Sequence, residues 1–410
     1  MKALAVSNQR KNIILPSIFF LSLVYCTSFV DLIKISEYHL FEVIFGLSCL
    51  ATLAYVLMAR RILIVKHYIT VPFLLIIVWS LVEMMLFDGL KYAPKYFIFA
   101  LIETWIFINL AVQYVTEENH KSFITYTCWI FMGMAIVLTG FYLSKGIFVN
   151  FNDYGNTFTK YVIGFAAICS YYLLFTEGKP AYGVLSYIFV TLSILSTIRK
   201  MWIALFVVYV AMTIIYLWGP IRKTIDRKKY KKIFITVLAL LMAIIITGAL
   251  FLTLVPKVNS TVDQTLGDEK TAGDISRQYL NSHAIHRFLE SPIIGNGWGD
   301  RKIYIPAIDR TNMYHNTYLS ILAQLGLIGG VLYFGVFAYS LIKAFIIMFT
   351  KPHYFNYGLF IMAIWLFLAV LFNYKPLDRM TYYGWGFPLI FTIVFETWEA
   401  KKNLCIGKKN

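Results

Sequence analysis

Residues 228–257 read KKYKKIFITVLALLMAIIITGALFLTLVPK, and the reading of this stretch decides the fold. A lysine cluster is followed by an apolar run from Ile233 to Val255 without a charged side chain. As a helix at about 1.5 Å per residue, the run exceeds the roughly 30 Å of a bilayer's hydrocarbon core. Runs of the same kind recur along the chain, at roughly 13–33, 38–58, 68–87, 95–115, 122–144, 160–176, 181–198, 200–218, 233–255, 316–349, 357–374 and 381–398. The expected fold class is therefore an all-α integral membrane protein of about 12 transmembrane helices. A membrane β-barrel would alternate apolar and polar residues instead of running apolar.

Composition agrees. Of 410 residues, 59% are hydrophobic and 14% charged, with a mean hydropathy of +0.69. The net charge of +16 raises nucleic acid as a partner, but the placement of the charge argues against it. Lysine and arginine gather between apolar runs, at Arg10 and Lys11, Arg60 and Arg61, 221–232 and 401–410. Such clusters mark cytoplasmic loops. With both termini cytoplasmic, an even number of spans puts every strong basic cluster inside. The first apolar run reads as an anchor and not a cleaved signal. Five scattered cysteines form neither a CxxC pair nor a disulfide framework.

The chain divides into 1–255 with spans one to nine, a large outer loop over 256–314, and 315–410 with the last three spans and a basic tail. The loop carries seven basic and seven acidic residues and is near neutral. A connection of this length is usually functional. Asp274 or Ser276 can cap a helix that starts near Arg277, and SPIIGNGWG (291–299) supplies the turn residues that stop it. On that helix Arg277, Leu280, Ala284 and Phe288 share one stripe, so Arg277 faces inward and His286 faces water. An inward guanidinium needs an anion or a carboxylate beside it.

Arg199, in LSTIRKMWIALF, falls at the outer surface, where positive charge is less favoured. Its alternatives are a solvated hairpin with Lys200, snorkelling to lipid head groups, or a functional site. Arg287 reads as a surface or structural charge. His315 and Asn316 open the tenth span: Asn316 suits an N-cap, whereas His315 is not needed for capping and can take a proton at neutral pH. Glu83, Glu103 and Glu396 lie near span ends, where water can reach them. Asp378 and Arg379, and likewise Tyr154, Asn156 and Lys160, read as polar outer turns. No phosphate-binding glycine loop, dinucleotide fingerprint or metal-ligand cluster is evident.

Three segments resemble the O-antigen ligase and polymerase family (WaaL and Wzy types). STIRKMW (196–202) is similar to the family's Ser-x-x-Arg start of a span. Arg277, with Pro292 and IIGNGWG behind it, resembles its large-loop helix and turn. His315-Asn316, nine residues, Gly326, two residues and Gly329 fit its HNx9GxxG pattern. The family has a small residue where Lys200 stands, and Arg287 has no counterpart. The resemblance implies a GT-C-like, metal-independent glycosyltransferase without a cofactor, in the bacterial inner membrane, with its active site on the outer face. It implies a donor glycan on undecaprenyl diphosphate, with Arg199 and Arg277 on the diphosphate, Asn316 beside the substrate and His315 at the reaction centre as base. The acceptor is lipid A-core for a ligase, or the growing glycan for a repeat-unit polymerase; membrane lipid is a further partner and nucleic acid is not. A polytopic polysaccharide transporter is the alternative of another class. It calls for charges near mid-span and for repeat symmetry.

Overall fold

The structure is a computed structural model. It describes residues 70–88, 120–144, 157–195, 199–218, 227–254, 272–297, 303–312, 314, 316–351 and 354–372. Eight of the twelve expected spans coincide with described helices. These are α1 (Thr70–Glu83), α2 (His120–Ser144), α3 (Thr157–Glu177), α4 (Pro180–Leu195), α5 (Arg199–Trp218), α6 (Arg227–Leu254), α8 (Thr317–Thr350) and α9 (Phe355–Phe372). The spans expected at 13–33, 38–58, 95–115 and 381–398 lie outside the described residues. Among the described residues, four stretches are long and apolar enough to cross a membrane: His120–Gly140, Lys200–Leu217, Arg227–Leu250 and Thr317–Thr350. The other four described spans are shorter apolar helices.

The chain forms two compact units. The first comprises Met1–Ser48, Glu117–Gly267 and Ala344–Phe367, and α3 is at its centre. Every residue from Tyr161 to Phe175 is buried, as expected of a helix that is apolar all round. Apolar burial drives little association between helices in lipid, so close packing and interhelical hydrogen bonds hold such a bundle. Gly164 lets α5 and α9 come close: a Cβ there would lie 2.5 Å from Met201 Sδ and 2.6 Å from Phe367 Cζ. Tyr171 on α3 stacks on Tyr209 of α5 with ring centroids 4.0 Å apart. The Tyr209 hydroxyl donates to Ala167 O at 3.0 Å and also meets Ser186 Oγ of α4. Lys229 at the start of α6 donates to Thr176 O at 2.8 Å, which satisfies a carbonyl in the last turn of α3. The α4–α5 hairpin is closed by Trp202 Nε1 donating to Ser193 O at 3.1 Å.

The second unit comprises Cys49–Thr116, Asp268–Lys343 and Leu368–Asn410. It holds α1, most of α8 and the described part of the large loop. That part consists of α7 (Ala272–Glu290) and a small antiparallel hairpin of β1 (Ile303–Ile305) and β2 (Arg310–Asn312). A single turn at Pro306–Ile308 and a left-handed Asp309 (φ 46°) join the two strands. Glu83 differs from its sequence reading: it closes α1 but is fully buried, so water does not reach it.

Candidate active site

The loop helix starts earlier than its capping residues suggested. It begins at Ala272, which puts Asp274 inside the first turn and buries Ser276. Asp274 therefore stabilises the helix as an anion near the positive end of its dipole, not as a cap. Of the expected inward stripe, Leu280 and Ala284 are buried and Phe288 is half-buried, and His286 is exposed as expected. Arg277 does not face inward: Ser276 takes the buried position before Leu280, and Arg277 sits at the edge of the stripe. Its side chain is 35% exposed, and Nη1 lies 3.3 Å from Asp274 Oδ1. An ion pair this exposed contributes roughly 0–1 kcal/mol, so the guanidinium can exchange its carboxylate for a more highly charged anion.

Two hydrogen bonds tie the approach to α8 against this helix. Asn312 Nδ2 donates to Ser276 Oγ at 3.1 Å, one residue from Arg277. Two helical turns further on, His283 Nδ1 and the Tyr314 hydroxyl are 2.9 Å apart. Burial, reinforced by the Arg287 charge, lowers the His283 pKa. Burial likewise raises that of Tyr314. A neutral imidazole whose Nδ1 accepts a hydrogen bond from the phenol O–H, both groups staying uncharged, fits both directions. Neither His283 nor Tyr314 stood out in the sequence. The signal for His283 was its place on the helix, three residues after Leu280 and seven after Ser276. Tyr314 had no local signal, because its partner lies 31 residues away.

Asn316 caps α8: its Oδ1 accepts from Tyr318 N at 3.0 Å and from Leu319 N at 3.2 Å. His315 lies outside the described residues. Arg199 is the first residue of α5, in the other unit, and its side chain lies outside the described set. Arg287 is structural. It pairs with Glu290 at 3.2 Å, its Nη2 donates to Asn296 O at 3.5 Å, and Asn296 Nδ2 donates back to Arg287 O. These contacts fasten the end of α7 to the turn that follows it.

That turn is inserted into a break in α8. Gly326 has φ 63° and ψ −166°, a backbone conformation open to glycine alone. In an unbroken helix Leu327 N and Ile328 N would donate to Ala323 O and Gln324 O. Here Leu327 N donates to Pro292 O at 2.8 Å and Ile328 N to Ile293 O at 3.2 Å. The two released carbonyls accept from Asn296 N at 3.2 Å and Gly297 N at 3.1 Å. Trp79 Nε1 of α1 takes Leu325 O at 3.2 Å. Two helical bonds are thus exchanged for four to the turn. Gly295 faces Gly326 across the junction, and a Cβ on Gly295 would lie 2.2 Å from Gln324 O. A Cβ on Gly326 would lie 2.3 Å from Ile293 O. The IIGNG turn and the first glycine of the GxxG pattern are therefore the two sides of one backbone contact.

This junction and the loop helix fall inside the stretch of the chain that matches a protein-family model. Residues 184–334 match the Wzy_C family, described as O-Antigen ligase. The match runs from within α4 to just past the glycine junction. It takes in Arg199, Arg277 and the HNx9GxxG segment, and it supports assignment to the O-antigen ligase and polymerase family. No curated protein matches the chain.

Proposed function

We propose that the chain is a GT-C-like membrane glycosyltransferase that moves a glycan from undecaprenyl diphosphate to an acceptor hydroxyl. We read it as an O-antigen ligase with lipid A-core as acceptor. The carrying observation is that the family match covers the elements that hold Arg277 at the exposed edge of α7, hydrogen-bonded to the segment entering α8. Arg277 and Arg199 bind the donor diphosphate. The acceptor oxygen attacks the anomeric carbon of the first sugar, and the bond from that carbon to the diphosphate breaks. The electron pair leaves on the diphosphate, whose added charge the guanidinium groups stabilise. The hydroxyl proton passes to the His315 imidazole. Asn316 holds the start of α8 beside the substrate.

The site faces away from the cytoplasm, in the bacterial inner membrane, and needs neither metal nor cofactor in this scheme. The surface glycan of a deletion strain tests the reading. Long chains accumulating on the lipid carrier are the expected result. A core capped by a single repeat unit identifies a repeat-unit polymerase instead. An unchanged surface glycan contradicts both.

A further inference from the structure

Over the second half of α7, the face opposite its buried stripe is apolar, whereas exposed Gln278 and Ser282 make the same face polar nearer the start. Ile285 is 48% and Leu289 66% exposed, about 40° apart around the helix axis. Ile293 (63%) and Ile294 (41%) continue this apolar surface into the turn. The turn is bonded to α8 where that helix changes character. Ile293 O accepts from Ile328 N, and Pro292 O from Leu327 N. From Leu327 onward α8 carries an exposed apolar stripe through Val331 and Ile342 to Phe349. Leu327 to Phe349 covers about 33 Å at roughly 1.5 Å per residue, the thickness of one hydrocarbon core. Lys351 follows at the far end. The 34-residue helix is longer than a bilayer core, and its surplus of nine residues, 317–325, precedes the Gly326 break. The lipid boundary on the loop's side therefore falls at the junction, level with Ile293.

We infer that the second half of α7 and the turn after it, through Ile285, Leu289, Ile293 and Ile294, are seated in the outer leaflet as an interfacial element. The occupant of this apolar face is the lipid surface, because the face continues the lipid-exposed stripe of α8 across a hydrogen-bonded contact. Polar and charged groups flank it as in other interfacial helices, with His286 and Glu290 on one side and Arg277 on the other, about 80–120° around the axis. Seating this face puts the Arg277 guanidinium at the depth of lipid phosphates, where a membrane-borne diphosphate travels. The inference rests on the proposed function only for that last consequence; the seating itself needs only that α8 spans the bilayer.

The full chain, its five cysteines replaced, is reconstituted in phosphatidylethanolamine–phosphatidylglycerol vesicles with nitroxide labels on Leu289→Cys, Ile293→Cys or His286→Cys. Relative to a water-soluble nickel chelate, oxygen should relax the labels at 289 and 293 at least about fivefold more effectively than the one at 286. Equal accessibility at all three positions overturns the inference. Dipolar broadening between labels on two copies also overturns it, since the face then belongs to a second copy. If the cysteine-free protein does not fold, a photoreactive side chain at position 289 of the otherwise native chain replaces the labels. Cross-linking to lipid supports the seating, and cross-linking to protein or water alone overturns it. Both readouts report depth without turnover, so a failure of the catalytic reading leaves them distinguishable.

Discussion

Helix α3 and the loop around α7 both use a glycine to let a neighbouring element pack closely, but what packs against it differs. At Gly164 the atoms that crowd a missing Cβ are the ends of Met201 and Phe367 side chains. At Gly295 they are the backbone of 324–326. A side chain can rotate away; a backbone held by four hydrogen bonds cannot. The buried helix owes its position to bulk packing spread over many residues. The loop is held by a few directional contacts and buries few apolar side chains, with Ser276, Leu280 and Ala284 as the buried residues of α7. Such a region is easily lost unless each contact is made, and it is the region that carries the candidate site.

The sharpest way to break this contrast is Gly295→Ala. It combines a positive φ of 87° with a Cβ 2.2 Å from a carbonyl oxygen, and should cost the loop about 3 kcal/mol or more. Limited proteolysis is expected to cut within 272–297 while the apolar helices stay intact. Gly164→Ala should cost less, about 1–3 kcal/mol, read as a lower unfolding temperature of the whole protein in detergent. If the two substitutions act alike, the distinction between backbone and side-chain crowding fails. Asn316→Ala removes the cap of α8 and should cost about 1 kcal/mol, with transfer falling more than global stability.

The smallest effect concerns pH. The folded His283 pKa lies below the ordinary value near 6.5, so the unfolded loop binds the proton more readily. The stabilisation is full above pH 6.5 and is lost as pH falls through the folded pKa. Protease resistance of the loop should follow that slope, and His283→Gln should flatten it. An unchanged slope in that variant would show that another group sets it.

The two regions also differ in how far the chain announces them. Apolar run length alone located α2, α5, α6 and α8, because a helix in lipid must satisfy its own backbone. Periodicity placed Leu280, Ala284 and His286 correctly around α7, but it turned Arg277 inward, whereas Ser276 takes the buried position and Arg277 lies at the half-exposed edge. The start of the helix was misplaced by five residues, since Asp274 and Ser276 read equally well as caps or as first-turn residues. The β1–β2 hairpin was invisible: three-residue strands around Pro306 leave no alternating pattern. The glycine junction was visible only as two separate motifs, because contact between 292–297 and 323–328 is a property of the fold. Glu83 was misjudged because distance from a helix end does not report burial.

Transfer from a polyprenyl-diphosphate-linked donor, measured with reconstituted wild-type and Arg277→Ala proteins at equal membrane levels, tests the central claim most directly. Loss of the guanidinium from the exposed edge of α7 should lower the rate about a hundredfold or more, equivalent to roughly 2.7 kcal/mol of transition-state stabilisation. Turnover near wild type in the properly inserted variant would contradict the account.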